Sequence, residues 1–427
     1  MASHFFSTIT KHSLKPYFLS PPFPQNPVFS LLQKTSPFST SFLITKTPKK
    51  FKKRKKKPSP RTTPIQHPSS FIPHFENLAN RDNFFRFLIR SKQFLIKQPE
   101  HILRLDDAGK LFRELGFPRG RKVTKFLAKH PLIFEVYRHE SNKMWVGFTE
   151  FMENLLEEEK KIMGCMELER VKVVRKLLMM SKDKKMALSK IYHCRLLFGV
   201  PEDFRDWVLK FPEYFRVVDG EDGSRVLELV KWEPGLAVSA LEREFMVDEE
   251  KVKRALKFPV KHGKALDLEV DDVRRLNLLN TLPLVSPYSD GWKHELWSLE
   301  AEKYRVGIIH EFLSLTLEKK ASIHHIVEFK EEFSLTKHTY QMLNKQGRAF
   351  YLAGTEMNWV VFLKDGYDDN GNLINKDPQV VFNERLYRYA QMQHPDELCR
   401  DSENESNGGN EVSLIEREER VSLGKIR

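Results

Sequence analysis

The sequence predicts a helix-dominated α+β fold, with two or three winged-helix-like modules (helix-turn-helix plus β-hairpin) joined by longer helices. Three observations carry that expectation. A Gly-x-Pro turn recurs, each copy is followed by a short amphipathic segment, and alternating apolar residues then flank a second turn.

The first unit runs from Leu115-Gly116-Phe117-Pro118 to Pro131-Leu132-Ile133-Phe134. The second runs from Phe198-Gly199-Val200-Pro201 to Pro212-Glu213-Tyr214-Phe215. A degenerate third runs from Phe333-Ser334-Leu335-Thr336 to Gly347-Arg348-Ala349-Phe350. Pro or Thr suits the first position of the helix after each turn. Val123, Phe126 and Leu127 form the apolar face of that helix in the first unit, and Phe204, Trp207, Val208 and Phe211 do so in the second. A Pro or Gly stops it. Hairpins are then expected over Ile133–Tyr137 with Met144–Phe148, Tyr214–Val218 with Val226–Val230, and Phe350–Leu352 with Trp359–Leu363. Asp219-Gly220 and Asp222-Gly223 give the second a good hairpin turn. Longer helices are expected over Phe148–Met163, Leu168–Met180 and Trp297–Thr316.

The chain has 427 residues, 71 Lys plus Arg against 58 Asp plus Glu, and a net charge of +13. The first acid is Glu76, and residues 1–75 hold eleven Lys and two Arg, so the rest of the chain is formally neutral. Residues 1–60 read as an organelle transit peptide, acid-free and hydroxyl-rich. The first Arg is Arg54, and Arg-poor leaders favour a plastid over a mitochondrion. The basic run 49–57 is the end of that leader or a nucleic-acid arm. Residues 61–75 are a linker, 76–395 the folded domain, and 396–427 an acidic tail with the composition of disorder.

An apolar content of 40% with 32 Phe supports a core, and no apolar run reaches the length of a membrane-spanning helix. Cys165, Cys194 and Cys399 lie far apart, which fits a reducing compartment. No phosphate-cradling glycine loop is present. His294-Glu295 and His310-Glu311 lack the second His one turn later that a zinc-binding helix needs. Asp106-Asp107 suit a helix start, and Glu157-Glu158-Glu159 read as a solvated helix face. The chain is expected to be non-enzymatic, with no cofactor and no metal.

Charge inside the neutral remainder is uneven. Arg119, Arg121, Lys122, Lys125 and Lys129 follow the first Gly-x-Pro turn, with Arg121, Lys125 and Lys129 spaced to share one helix face. Such a face, with the helix N-terminus behind it, can neutralise phosphates. Arg138, Lys143 and Trp145 on the nearby hairpin extend it, and Trp145 or Tyr137 could stack on a base or turn into the core. A second basic region holds Lys172, Arg175, Lys176, Lys182, Lys184 and Lys185.

The run Leu105-Asp106-Asp107, Leu111-Phe112, Leu115-Gly116-Phe117-Pro118 and Lys129-His130-Pro131-Leu132-Ile133-Phe134 closely resembles the plant organelle RNA recognition domain. So do Phe211–Arg216, Leu282–Tyr288 and His310–Thr316, and the likeness spans residues 75–390. It departs from the family at Ser334-Leu335-Thr336 and Gln346-Gly347, where Gly-Leu-Pro and His-Pro are usual. The resemblance implies an RNA-binding protein of plastid or mitochondrion. It further implies a role in splicing group II introns alongside other nuclear-encoded splicing factors, with organellar intron RNA as the ligand. A DNA-binding transcription or termination factor and a protein-interaction scaffold are the alternatives. The sequence leaves the oligomeric state open.

Overall fold

The computed structural model describes residues 72–112, 114, 122–138, 142–220, 223–249, 270–354 and 358–392. The expected leader, most of the linker and the acidic tail lie outside these residues. The fold is helix-rich α+β with small antiparallel sheets, as the sequence predicts.

Helix α1 (Pro73–Ile96) opens on a proline at its first position, where the missing N–H costs nothing. Strand β1 (Leu103–Arg104), α2 (Leu105–Lys110), α3 (Val123–Leu127), β2 (Phe134–Arg138) and β3 (Met144–Phe148) make the first module. Thr149 caps α4 (Glu150–Cys165) by accepting from the Met152 amide, and α5 (Glu167–Met180) follows. The second module comprises β4 (Lys185–Ala187), α6 (Leu188–His193), α7 (Arg195–Phe198), α8 (Phe204–Val208), β5 (Phe215–Asp219) and β6 (Arg225–Leu229). Among the described residues three linking helices follow: α9 (Ala240–Val247), α10 (Val270–Thr281) and α11 (Leu299–Leu315). The third module comprises β7 (Lys320–Ser322), α12 (Ile323–Glu328), α13 (Thr339–Lys345), β8 (Phe350–Ala353) and β9 (Val360–Leu363), and α14 (Pro378–Gln391) closes the described chain.

Each module carries a three-stranded antiparallel sheet in which the last strand lies between the other two. The repeat extends upstream of the turns that reveal it in sequence. Helices α2, α6 and α12 begin at 105, 188 and 323. Those spacings of 83 and 135 residues match the spacings of Pro118, Pro201 and Thr336. The same spacings connect His101, Lys184 and Lys319, all with left-handed backbone (φ 55, 57 and 50°). In the second and third modules the lysine side chain turns back onto the preceding helix. Lys184 Nζ donates to the Met179 and Ser181 carbonyls at 2.7 and 3.2 Å, and Lys319 Nζ to those of Ser314 and Thr316 at 2.5 and 3.1 Å. Each thus serves carbonyls that the helix end leaves without intrahelical partners.

The turn glycine also has a physical cause. Gly199 takes φ 63°, and a Cβ there would lie 2.7 Å from Arg170 Nε. Ser334, its counterpart, adopts φ 50° as well, so the degenerate third copy keeps the conformation without the glycine.

Packing welds the modules together. Modules two and three share one core around α11, with Phe198, Phe312, Phe329 and Phe333 in edge and stacked contacts. Module one packs Val123, Leu127, Ile133, Phe134 and Val146 against Phe87 and Leu88 of α1 and Phe382 and Leu386 of α14. The start of α1 lies instead on module three, where Phe75 meets Tyr351, Phe362 and Tyr367. Buried ion pairs repeat the pattern: Lys320 with Asp82 (2.8 Å) and Glu318 (2.6 Å), and Arg170 with Asp377 (2.7 Å).

One expectation needs correction here. Only Glu157 of the Glu157–Glu159 run is a solvated residue paired locally, with Lys160. Glu158 pairs with Arg385, and Glu159 accepts from Lys92 at 2.6 Å and Gln379 at 3.0 Å, because α1 and α14 pack along that side of α4. Among the described residues no helix is long and apolar enough to cross a membrane.

Candidate nucleic-acid interface

The first basic cluster is placed on the surface where it is described. Val123 and Leu127 of α3 point into the core, which leaves Lys122 and Lys125 exposed on the other side. The helix is shorter than the sequence indicates, ending at Leu127, so Lys129 is exposed in the turn that follows it. Arg119 and Arg121 lie outside the described residues. Arg138 at the end of β2 and Lys143 before β3 are exposed.

Trp145 and Tyr137 face each other across β2 and β3, and Arg104 on β1 faces Trp145 from the other side. Alternation along a strand puts these three on one sheet face. The opposite face, with Phe134, Val136, Val146 and Phe148, packs into the core. The aromatics therefore do not alternate into the core. Arg104 escaped the sequence reading because a two-residue strand has no period to read; only the register reveals it. Asp107 sits beside this face, its carboxyl held low chiefly by a hydrogen bond from Lys110, with Arg104 and Lys143 adding to the effect.

The second basic region divides. Lys172 is exposed and paired with Glu169 at 2.6 Å. Arg175 and Lys176 are corrections, for both are buried. Arg175 donates to Glu233 at 2.7 Å and lies 4.1 Å over the Tyr214 ring; Lys176 donates to Glu311 at 2.8 Å and to the Val238 carbonyl at 3.1 Å. The cause is the position of α5, which is enclosed along most of its length by the second module and α11. Lys182 is exposed, its ammonium 5.0 Å from the Trp292 ring. Lys184 is the half-buried helix clamp, its ammonium destabilised by burial, and Lys185 is exposed at the sheet edge. The surface part of this region is thus Lys172, Lys182 and Lys185.

The residues that prompt thoughts of catalysis have structural surroundings. His310 and Glu311 are buried in α11, and burial pushes the His310 imidazole down to about 4, neutral at ordinary pH. Burial raises the Cys194 thiol well above its ordinary range. His130 is buried and bonds through Nδ1 to the Ala390 carbonyl, fastening its His-Pro turn to α14. Among the described residues no group of three or more His, Cys, Asp or Glu is placed to hold a metal ion.

The chain matches the plant organelle RNA recognition domain over residues 72–395. It is 35% identical over 322 residues to the Oryza sativa subsp. japonica protein What's This Factor 1 homolog, chloroplastic, a match covering 73% of this chain and 63% of the relative. The Zea mays protein What's This Factor 1, chloroplastic, is 32% identical over 325 residues, covering 73% and 64%. The Arabidopsis thaliana protein What's This Factor 9, mitochondrial, is 26% identical over 356 residues, covering 81% and 89%. The chain thus spans under two thirds of the length of the two chloroplastic relatives. No solved structure matches it.

Proposed function

Because the chain belongs to the plant organelle RNA recognition domain family, we propose that it binds organellar intron RNA and promotes the splicing of group II introns without catalysing the reaction. Plastid residence accords with the chloroplastic relatives and with the acid-free, Arg-poor leader; mitochondrial residence, as in the Arabidopsis relative, is the alternative. Other nuclear-encoded splicing factors are its expected partners.

The observation that carries the reading is the exposure of Lys122, Lys125 and Lys129 on and just after α3, in a chain whose residues 76–427 are formally neutral. Cations there supply phosphate attraction locally, where a uniformly basic protein would bind any polyanion. We read each module as a winged helix. Its strand order, with two helices between the first and second strands in the first and third modules and three in the second, supports that reading. Winged helices also read duplex DNA, so a transcription or termination factor is the second reading.

Sequencing RNA co-precipitated with the tagged protein from isolated plastids and mitochondria tests the proposal. Enrichment of unspliced group II intron transcripts in one organelle is expected. Recovery of organellar DNA in place of RNA would favour the second reading.

A further inference from the structure

The second half of α1 presents a cationic strip to solvent. Phe87, Leu88, Lys92 and Leu95 are buried, which leaves the arc of Arg86, Arg90, Gln93 and Lys97, spaced to share one side of the helix. Arg86, Arg90 and Lys97 are exposed, and Gln93 is half-buried. Residues 83–99 hold four cations and no acid. Lys92 is neutralised by Glu159 at 2.6 Å, and Lys97 shares Glu202 with Arg195, at 2.5 and 3.7 Å. Arg86 and Arg90 have no acidic partner among the described residues. All three modules reach this strip. Phe87, which follows Arg86, meets Phe126, which follows Lys125 of α3, ring to ring at 4.0 Å. On the module-three side Arg86 lies near His325 of α12: burial holds that imidazole below its ordinary value, and the guanidinium adds to the depression. Lys97 meets module two through Glu202, just after the Gly199-Val200-Pro201 turn.

We propose, resting on the RNA-binding reading above, that Arg86 and Arg90 of α1 form one phosphate-binding track for the RNA backbone with Lys122 and Lys125 across the α1–α3 contact. Four exposed cations converge there in a chain whose remainder is formally neutral, so a polyanion finds its attraction concentrated at one place. A guanidinium offers phosphate two parallel N–H bonds, so Arg86 and Arg90 fix the backbone where the lysines act as point charges. At four residues apart on a helix their side chains are neighbours, about 5–6 Å apart at Cβ, and can hold adjacent phosphates. The track belongs to no single module, since it needs α1 docked on α3. Phosphate contacts of this kind position the strand and leave sequence choice to contacts with the bases.

The test uses the full chain and oligoadenylate at several salt concentrations. Arg86→Ala combined with Arg90→Ala removes two phosphate contacts and should flatten the slope of log K against log salt by about 1.4, at about 0.7 for each. Thermal stability should be unchanged, because both side chains are exposed. Arg86→Lys with Arg90→Lys keeps both charges and should restore the slope while recovering only part of the affinity. Arg225→Ala with Lys337→Ala removes the same charge from exposed positions in modules two and three and should leave the slope as it is. Phenylglyoxal, which modifies accessible guanidiniums, should label Arg86 and Arg90 in the free chain and spare them in the complex, a readout that needs no variant to fold. An unchanged slope in the Arg86 and Arg90 double Ala variant would overturn the track while leaving RNA binding intact. Equal flattening by the Arg225 and Lys337 pair, or unhindered labelling of Arg86 and Arg90 under saturating RNA, would do the same. A full chain that binds no oligoadenylate at low salt would overturn the RNA reading itself.

Discussion

Lys176 donates to Glu311 across 2.8 Å with the carboxylate 1% exposed, joining α5 to α11. Tyr288 Oη (2.6 Å) and the Ala240 amide (2.7 Å) donate to the same carboxylate. Burial alone would raise that carboxyl; Lys176, Tyr288 and Ala240 outweigh it and hold it below its ordinary value. Glu311→Ala would leave three donors buried without an acceptor and should cost about 3–5 kcal/mol. Glu311→Gln, which can still accept, should cost less. Urea unfolding measures both, and an Ala variant as stable as the parent would show the pair to be dispensable.

The neighbouring His310 makes stability depend on pH. Burial depresses its imidazole to about 4, against about 6.5 in an unfolded chain. As pH falls below 6.5 the unfolded chain takes up a proton that the folded one refuses, so stability falls, and the loss is complete near pH 4. Over that window the depression corresponds to about 3 kcal/mol. His310→Gln should flatten the acid limb between pH 6.5 and 4, as read from unfolding midpoints at several pH values. An acid limb unchanged by that substitution would assign the pH dependence to other groups.

The lysines at left-handed positions should behave as structural residues. Lys319→Ala and Lys184→Ala each remove an ammonium bonded to two helix-end carbonyls and should cost about 2 kcal/mol in thermal unfolding. Lys185→Ala, on an exposed lysine one residue further on, should lie within about 0.5 kcal/mol of the parent.

What the sequence could reveal follows from how locally each feature is encoded. The hairpins and the short helices α3 and α8 are legible because apolar periodicity and turn chemistry act within a few residues. Thr336 and Phe350 mark the third module despite the lost glycine. The burial of Arg175 and Lys176 is not legible, because it depends on α11 arriving from 130 residues downstream to enclose α5. The placement of Arg104 is equally hidden, since it follows from the pairing of β1 with β3 forty residues on. The Lys184–Lys319 equivalence is visible in retrospect in Ser181-Lys182-Asp183-Lys184-Lys185 and Thr316-Leu317-Glu318-Lys319-Lys320. Its meaning is invisible without the backbone angles, since a lysine at φ near 50° is chosen by the helix it terminates and not by its charge.

The division of the basic residues into exposed and buried sets can be read from salt dependence. Each phosphate neutralised on a single strand contributes about 0.7 to the slope of log K against log salt. Replacing Lys122, Lys125 and Lys129 together by Ala should therefore flatten the slope by about 2, with thermal stability unchanged because all three are exposed. Arg175→Lys should do the opposite. It would weaken the geometry over Tyr214 and toward Glu233, and so lower stability, yet leave the slope alone because that guanidinium is 5% exposed. Measuring affinity for oligoadenylate at several salt concentrations separates the two. A slope that ignores the triple substitution would remove the α3 face from the interface.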